Sequence, residues 1–428
     1  MTGSISELKG RLAGEEGARL LADVYGPEAA ESQQGRWSRA MDHFAAEFSD
    51  AAARVTLLSA PGRTELAGNH TDHNGGQVLA ASVDLDTIGV VAPRDDGRIR
   101  LRSRGFPERF EISLSSLGPR PEERESPAAL LRGVASALQD AGYRVGGFDA
   151  YVESAVPVGS GLSSSASFEI LIGIIQNELR NRGEIDAVTL ARAGQFAENE
   201  YFGKPCGLMD QIACASGGIV RIDFHDETAP ELEGVDYDFA GRGYVLAVVN
   251  TGSSHADLTE DYAAVPREMR ELAQALGEGR ARDTSEEQIL GSLRALRDEV
   301  GDRAILRVLH FHRENRRVNE MVRALQEDDL PRYFAGVRES AGSSWRLLQN
   351  YVPTATVREQ AIALTAAVAE GRFPDSVLRV HGGGFAGAVQ AYVPHSRFAA
   401  FSRFMDELYG PESVIPLRIR HPGAGPLA

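Results

Sequence analysis

Four short segments of the chain concentrate side chains that could handle an anion or a set of hydroxyls. The densest is Pro157-Val158-Gly159-Ser160-Gly161-Leu162-Ser163-Ser164-Ser165-Ala166, which lies between a strand signal and a strongly apolar helical stretch. Gly159 and Gly161 allow a tight turn with no side chain in the way. Their N–H groups, with those at the start of the following helix, would point at a phosphate, and the helix dipole adds to the attraction. Ser160, Ser163, Ser164 and Ser165 offer hydroxyls for hydrogen bonds or for one metal ligand. A turn that merely caps a helix is the plainer alternative, but it needs fewer serines. The Gly-Lys-Ser/Thr ending of a P-loop is missing, so the segment is a phosphate cradle of another kind.

The second segment, Pro61 to Gly76, carries Arg63, Glu65, Asn69, His70, Asp72, His73 and Asn74. A carboxylate such as Asp72 can accept from two neighbouring hydroxyls, and Asn69 and His70 can each donate or accept. Arg63 carries a permanent charge suited to a transferring phosphoryl group. A solvated loop, or a metal site built on His70, Asp72 and His73, are the competing readings. In the third segment Glu198 lies late on a helix, and Lys204-Pro205-Cys206-Gly207-Leu208-Met209-Asp210-Gln211 follows a turn. Asp210 could cap a helix or orient and deprotonate a hydroxyl, with an arginine keeping it ionised.

The fourth segment, Gly382-Gly383-Gly384-Phe385-Ala386-Gly387, formally matches the dinucleotide fingerprint. The residues after it, Ala388 to Val393, are strand-like and reach Pro394 too soon for the helix that fingerprint must open. A tight hairpin, or a turn that lets the backbone approach another loop or a phosphate, fits better.

The elements that must position these segments follow from periodicity. Trp37, Met41, Phe44 and Phe48 recur at helical spacing in a charged leading stretch, residues 1–50, read as an extension packed on the first domain. Apolar runs at Val55–Leu58, Val78–Ala81, Thr87–Val91, Ile99–Leu101 and Phe110–Ile112 predict strands, with another at Phe148–Val152. Helices are predicted at about 128–141, 165–180 and 186–202; the second is apolar nearly all round and should be central. Glycines 234, 241 and 243 interrupt the pattern and suggest a boundary near 238, giving domains over 51–238 and 239–428. The second half opens with a strand at 244–250, continues in helices at about 258–276, 285–298, 303–325, 330–350 and 355–370, and closes in strands at 377–380, 388–393 and 413–417. The class is α+β.

With 428 residues the chain is too long for one ordinary core. A formal net charge of −16 argues against a nucleic-acid partner or an anionic membrane surface, both of which need a basic face. Cys206 and Cys214 are the chain's two cysteines, too few for a disulfide framework. No apolar run approaches the roughly 18–20 residues that span a bilayer. The first twenty residues lack the apolar core of a signal peptide, so the cytoplasm is the expected compartment.

Taken in order, Pro61–Gly76, Pro157–Ala166, Pro205–Gln211 and His381–Gly387 resemble the motifs of the galactokinase branch of the GHMP small-molecule kinases, over about residues 50–428. The resemblance implies an N-terminal domain like domain 2 of ribosomal protein S5 and a ferredoxin-like C-terminal domain, with the site between them. It implies transfer of the ATP γ-phosphoryl to the anomeric hydroxyl of D-galactose. Asp210 would be the catalytic aspartate and Arg63 its partner; Gly159, Ser160, Gly161, Leu162, Ser163, Ser164 and Ser165 would wrap the nucleotide phosphates. Ser165 and Glu198 fall on magnesium-ligand positions, and Asn69, His70, Asp72, Gly207 and Tyr262 on sugar-contacting ones.

The chain departs from the family pattern at several places. Glu is usual where this chain has Asn69, and Asn where it has Glu65; His73 replaces a Tyr and Ala67 a larger aliphatic residue. The aromatic adenine contact ahead of the 128–141 helix is missing, with Pro127 near its place, and the usual Ser-His pair reads Ser340-Ala341. Since Glu at position 69 meets the sugar's 6-hydroxyl in galactokinases, a neutral Asn would tolerate a carboxylate there, and galacturonate is the alternative substrate. A non-catalytic sugar sensor is a further alternative, but such proteins lose residues of the Gly-Leu-Ser-Ser-Ser-Ala loop, which is intact here.

Overall fold

The computed structural model describes residues 1–51, 53–252 and 258–427. A two-residue strand β1 (Thr2–Gly3) leads into helices α1 (Ile5–Ala13), α2 (Glu15–Tyr25) and α3 (Ala30–Glu47). Ser4 and Glu7 close a capping box at the start of α1. Trp37, Met41 and Phe44 of α3, spaced for one helix face, are buried against Val55, Leu57, Ile88, Val90 and Tyr151 of the first sheet. The leading extension is therefore a layer over one face of that sheet.

The sheet holds β2 (Val55–Ala67), β3 (Gln77–Arg94), β4 (Arg98–Ser103), β5 (Arg109–Ser113), β6 (Gly147–Ser154), β7 (Ile219–Asp223) and β8 (Glu231–Val235). Its main path runs β1-β2-β3-β6-β4-β5, with β7 on β3 and β8 on β7. The β4–β6 pairing is parallel and its neighbours are antiparallel. Two apolar runs expected as separate strands are one: β3 passes unbroken from Gln77 to Arg94, pairing with β7 through its first part and with β6 through its second. Likewise β2 does not stop at Leu58 but continues to Ala67, buried along its whole length, so the polar residues from 61 to 67 are strand residues and not a solvated loop.

The other face of the sheet is covered by α4 (Pro127–Asp140), α5 (Ser164–Arg180), α6 (Ala187–Phe196) and α7 (Met209–Ser216). Ile170, Leu171, Ile172, Ile174 and Ile175 make α5 the centre of that layer, as its all-round apolar sequence predicts. The helix expected over 186–202 changes its winding at Ala197, where a π turn (Ala197–Phe202) takes over and ends at Gly203.

The second sheet begins with β9 (Tyr244–Asn250), and the chain then runs through α8 (Thr259–Ala275), α9 (Glu286–Gly291), α10 (Leu293–Glu299), α11 (Gly301–Gln326), α12 (Leu330–Ser343) and α13 (Ala361–Arg372). A π turn at Ser344–Leu348 replaces the expected end of α12, and α13 starts at Ala361, later than its apolar pattern suggests. The hairpin β10 (Val377–His381) and β11 (Ala388–Pro394), helix α14 (His395–Tyr409) and β12 (Val414–Leu417) complete it. The antiparallel order β10-β11-β9-β12 is that of a ferredoxin-like sheet, so the α+β, two-sheet architecture stands as expected. One hydrophobic cluster joins the sheets: Leu66, Leu79, Val83 and Leu162 pack with Leu246, Val248, Met321, Tyr333 and Tyr392.

The last strand, β13 (Gly425–Pro426), returns to β2, and the Met1 ammonium donates to the Leu427 carbonyl. Beneath them lies Asp86, fully buried, which accepts from Arg36 Nη1 at 2.6 Å, Tyr25 Oη at 2.7 Å, Arg420 Nη1 at 3.2 Å and the Ser59 hydroxyl. Burial alone would push this carboxyl up, but Arg36 and Arg420 outweigh it and hold the carboxyl below the ordinary aspartate range.

Asp86→Ala strands two buried guanidinium groups and should cost about 3–5 kcal/mol at neutral pH, read as a fall in the urea midpoint. Because the folded carboxyl titrates low, its contribution is complete above about pH 4 and is lost as pH falls further. The gap between wild type and variant should therefore narrow in acid; a gap that widens there, or none at pH 7, contradicts the account.

Candidate active site

Arg63 lies on β2 where the pairing with β3 slips by two residues between Pro61 and Arg63. Such an irregularity re-aims side chains. The guanidinium, 4% exposed, turns toward the Gly/Ser turn and α7. Its Nε and Nη2 both lie 2.7 Å from Asp210 Oδ1, while Nη1 donates to the Gly161 carbonyl. The Arg63 N–H also donates to the Leu162 carbonyl at 3.1 Å, so β2 and the turn are stitched together on both backbone and side chain.

The turn enters α5 through Ser163, which is held in the left-handed region at φ 60° and donates its hydroxyl to Asp210 Oδ2. Gly161 also has positive φ, and a Cβ there would press on His381 Nδ1 at 2.7 Å, so the turn needs glycine for space as well as conformation. Two residues expected to line the cradle turn inward. The Ser160 hydroxyl is spent on the Pro157 carbonyl at 2.7 Å, and Leu162 is fully buried in the cluster between the sheets. Both can offer an anion only a backbone N–H. Gly159, Ser164 and Ser165 remain accessible at the rim.

Asp210 stands in the first turn of α7, not at its cap. Burial pushes its carboxyl up, but Arg63 and the Ser163 hydroxyl more than offset that and hold it below the ordinary range. Next to it, Ser165 Oγ donates to Glu198 Oε1 at 3.1 Å, bringing together the two oxygen groups expected to hold a metal. Glu198 is 3% exposed and sits in the π turn after α6. Sequence reasoning missed three groups here. Gln211 Nε2 donates to Glu198 Oε2 at 3.1 Å and to Glu169 Oε2 at 3.0 Å, and Lys204 Nζ approaches Glu198 Oε1 at 3.3 Å. Glu169 is fully buried on α5, and burial together with the Glu198 charge raises its carboxyl well above the usual range. A charged residue inside an otherwise apolar helix was the available signal for Glu169.

Just ahead of α7, Gly207 meets the residues expected to contact a sugar. Asp72 opens a short 3-10 turn, and its carboxylate abuts Gly207 so closely that a Cβ at 207 would overlap it. His70 is held at φ 58° and donates Nε2–H to the Gly383 carbonyl at 2.7 Å. Burial lowers its pKa to about 3, so the ring is neutral at physiological pH. Tyr262 donates its hydroxyl to the Gly384 carbonyl at 2.8 Å, and its ring lies against Gly383. The 382–387 turn is thus both a hairpin, joining β10 to β11, and a close backbone approach to the 69–72 segment.

Asn69 differs from its expected role. It has no exposed surface; its Nδ2 donates to Gly382 O at 2.7 Å and Glu65 Oε1 at 3.1 Å, and its Oδ1 accepts from Asn350 Nδ2 at 2.6 Å. The amide is consumed by the protein. Nor do His70 and His73 converge on a metal. Their ring centroids are 6.4 Å apart, and no group of three or more His, Cys, Asp or Glu suited to a metal occurs among the described residues.

Two family models match the chain: the GHMP kinases N terminal domain over residues 129–218 and the galactokinase galactose-binding signature over residues 42–93. The galactokinase of Clostridium tetani is 30% identical over 82% of this chain and 86% of its own length. That of Streptomyces coelicolor is 30% identical over 82% and 88%. Among solved structures, Lactococcus lactis galactokinase complexed with galactose superposes with a TM-score of 0.76 at 26% identity, covering 90% of this chain and 97% of that one. The mevalonate kinase of Methanococcus jannaschii shares the fold, with a TM-score of 0.60 at 14% identity.

The Arg63–Asp210 pair is open to a double-mutant cycle. Arg63→Met should destabilise by about 2–4 kcal/mol, because it leaves a carboxylate without its counter-charge. Adding Asp210→Leu should recover much of that loss in urea unfolding; strictly additive losses would mean the two are not coupled.

Proposed function

The chain belongs to the galactokinase family, and we propose that it transfers the γ-phosphoryl group of ATP to the anomeric hydroxyl of D-galactose, giving galactose 1-phosphate. The observation that carries this reading is the position of Asp210. Its carboxylate joins Arg63 to Ser163 of the phosphate-binding turn, and three residues earlier Gly207 meets the Asp72 carboxylate. The Gly/Ser turn and the Asp72 carboxylate therefore both meet one short segment, residues 207–210.

Phosphoryl transfer through a loose transition state demands positioning and charge neutralisation more than covalent help. In the proposed reaction the N–H groups of Gly159 to Ser165 hold the nucleotide phosphates at the α5 N-terminus. Asp72, His70 and Gly207 fix the sugar, and Tyr262 closes its pocket. Asp210 accepts a hydrogen bond from the attacking hydroxyl. Its carboxyl titrates too low for a strong base, so it aligns the oxygen and takes the proton late, as the oxygen–phosphorus bond forms. Arg63 keeps Asp210 ionised and faces the transferring group.

Ser165 and Glu198 offer two hard oxygen ligands, a set that suits Mg²⁺, an ion that keeps most of its coordination for water and phosphate oxygens. When bound there it would neutralise charge on the β- and γ-phosphates.

Purified protein should turn over ATP with galactose in a coupled assay that also offers galacturonate, glucose and N-acetylgalactosamine; turnover confined to another sugar overturns the reading. Asp210→Asn should lower kcat by about 10²- to 10⁴-fold while calorimetry still detects galactose binding. Gly207→Ala should displace Asp72 and raise the galactose KM by about tenfold or more, with little change in the KM for ATP.

A further inference from the structure

The oxygen that would ligate the metal already carries a cation. Glu198 Oε1 accepts from Ser165 and lies 3.3 Å from Lys204 Nζ, while Oε2 is held by Gln211 on the side of buried Glu169. An ammonium group and a divalent ion thus compete for one oxygen, because the other points into the protein. The Lys204 backbone is pinned: its N–H donates to the Glu198 carbonyl at 3.0 Å, and it sits between Gly203, in the left-handed region, and Pro205. Its side chain, by contrast, is 64% exposed on a flexible stem.

Arg63 is fixed in place, with Nε and Nη2 on Asp210 and Nη1 on the Gly161 carbonyl. Lys204, by contrast, is a cation on an exposed stem that is able to move. We propose that Lys204 is a displaceable counter-ion of the phosphoryl-transfer site. It neutralises Glu198 in the free protein and moves to the phosphate oxygens when nucleotide and metal enter. The inference rests on the proposed kinase reaction and on Glu198 as metal ligand.

The test uses Mn²⁺ as probe, its binding to full-length protein followed by electron paramagnetic resonance without nucleotide, alongside steady-state kinetics. Lys204→Met should tighten Mn²⁺ binding by about threefold to tenfold, the scale of one partly exposed ion pair. It should also raise the KM for ATP and lower kcat by at least about tenfold, with the galactose KM unchanged. Lys204→Arg should restore most of the turnover. Glu198→Gln is the control and should weaken Mn²⁺ binding with or without Lys204. No gain in Mn²⁺ binding in Lys204→Met, including binding undetectable in both proteins, overturns the displacement. Unaltered kinetics in that variant overturn the transfer to phosphate. Mn²⁺ binding indifferent to Glu198→Gln sinks the metal assignment itself, and with it this inference, while leaving the galactose assay to judge the reaction.

Discussion

The Arg63–Asp210 contact organises everything else at the site. A guanidinium with almost no exposed surface is sustained only if its three nitrogens find acceptors. Here Asp210 and the Gly161 carbonyl supply them. The same contact fixes the Gly/Ser turn against β2 and draws the start of α7 onto the start of α5. It also sets the electrostatics: with Arg63 and Ser163 bound to it, Asp210 stays ionised and weakly basic. A residue so placed is better at aligning a hydroxyl than at stripping its proton, which suits a reaction whose nucleophile gains acidity only as the bond to phosphorus forms.

The second sheet is held to this assembly by a further buried pair. Glu65 and Arg379, both essentially unexposed, meet at 2.5 Å, and Arg379 also donates to the Glu65 carbonyl at 2.9 Å. Gln390 reaches Thr64 Oγ1 at 2.7 Å, and His381 lies 2.9 Å from the same hydroxyl. Three consecutive residues of β2 therefore serve the site (Arg63) and the junction between the sheets (Thr64 and Glu65). The exchange of Glu and Asn relative to the family pattern becomes intelligible in this setting. Glu65 and Asn69 touch, and the carboxylate stands at the position where Arg379 can neutralise it. Asn69 braces the 382–383 backbone and Asn350, so its neutrality reports on packing at the sheet junction before it reports on a sugar.

Much of the framework was legible because its determinants are local. Helical periodicity in α3, the apolar surface of α5 and the glycines that end helices are written in neighbouring residues. Arg63, Ser163, Ser165, Glu198 and Asp210 were singled out by type and spacing, and they lie together in the fold. What was not legible depends on pairing across the chain. Residues 61–67 look like a polar loop because their hydrogen-bonding partners, Arg379, Gln390, Gly161 and Asp210, are distant in sequence. The two runs within β3 look separate because Asp84 and Asp86 interrupt them, and Asp86 is acceptable there only because Arg36 and Arg420 arrive from opposite ends of the chain. The Ser160 hydroxyl and the Asn69 amide turn into the protein, since spacing says nothing of which side of a turn a side chain takes.

The charge balance of the site explains how an acidic chain can receive a polyanion. At the phosphate-binding end, the carboxyls of Asp210 and Glu198 are paired with the cations Arg63 and Lys204. Burial beside Glu198 raises the carboxyl of Glu169 well above the usual range. These two pairs offset one another locally, despite the formal charge of −16 on the whole molecule. Surface charges more than a Debye length away, about 8–10 Å at ordinary ionic strength, are screened and add little. Gln211 acts as a spacer that holds Glu198 Oε2 on the side of Glu169 and leaves Oε1 to Ser165 and Lys204.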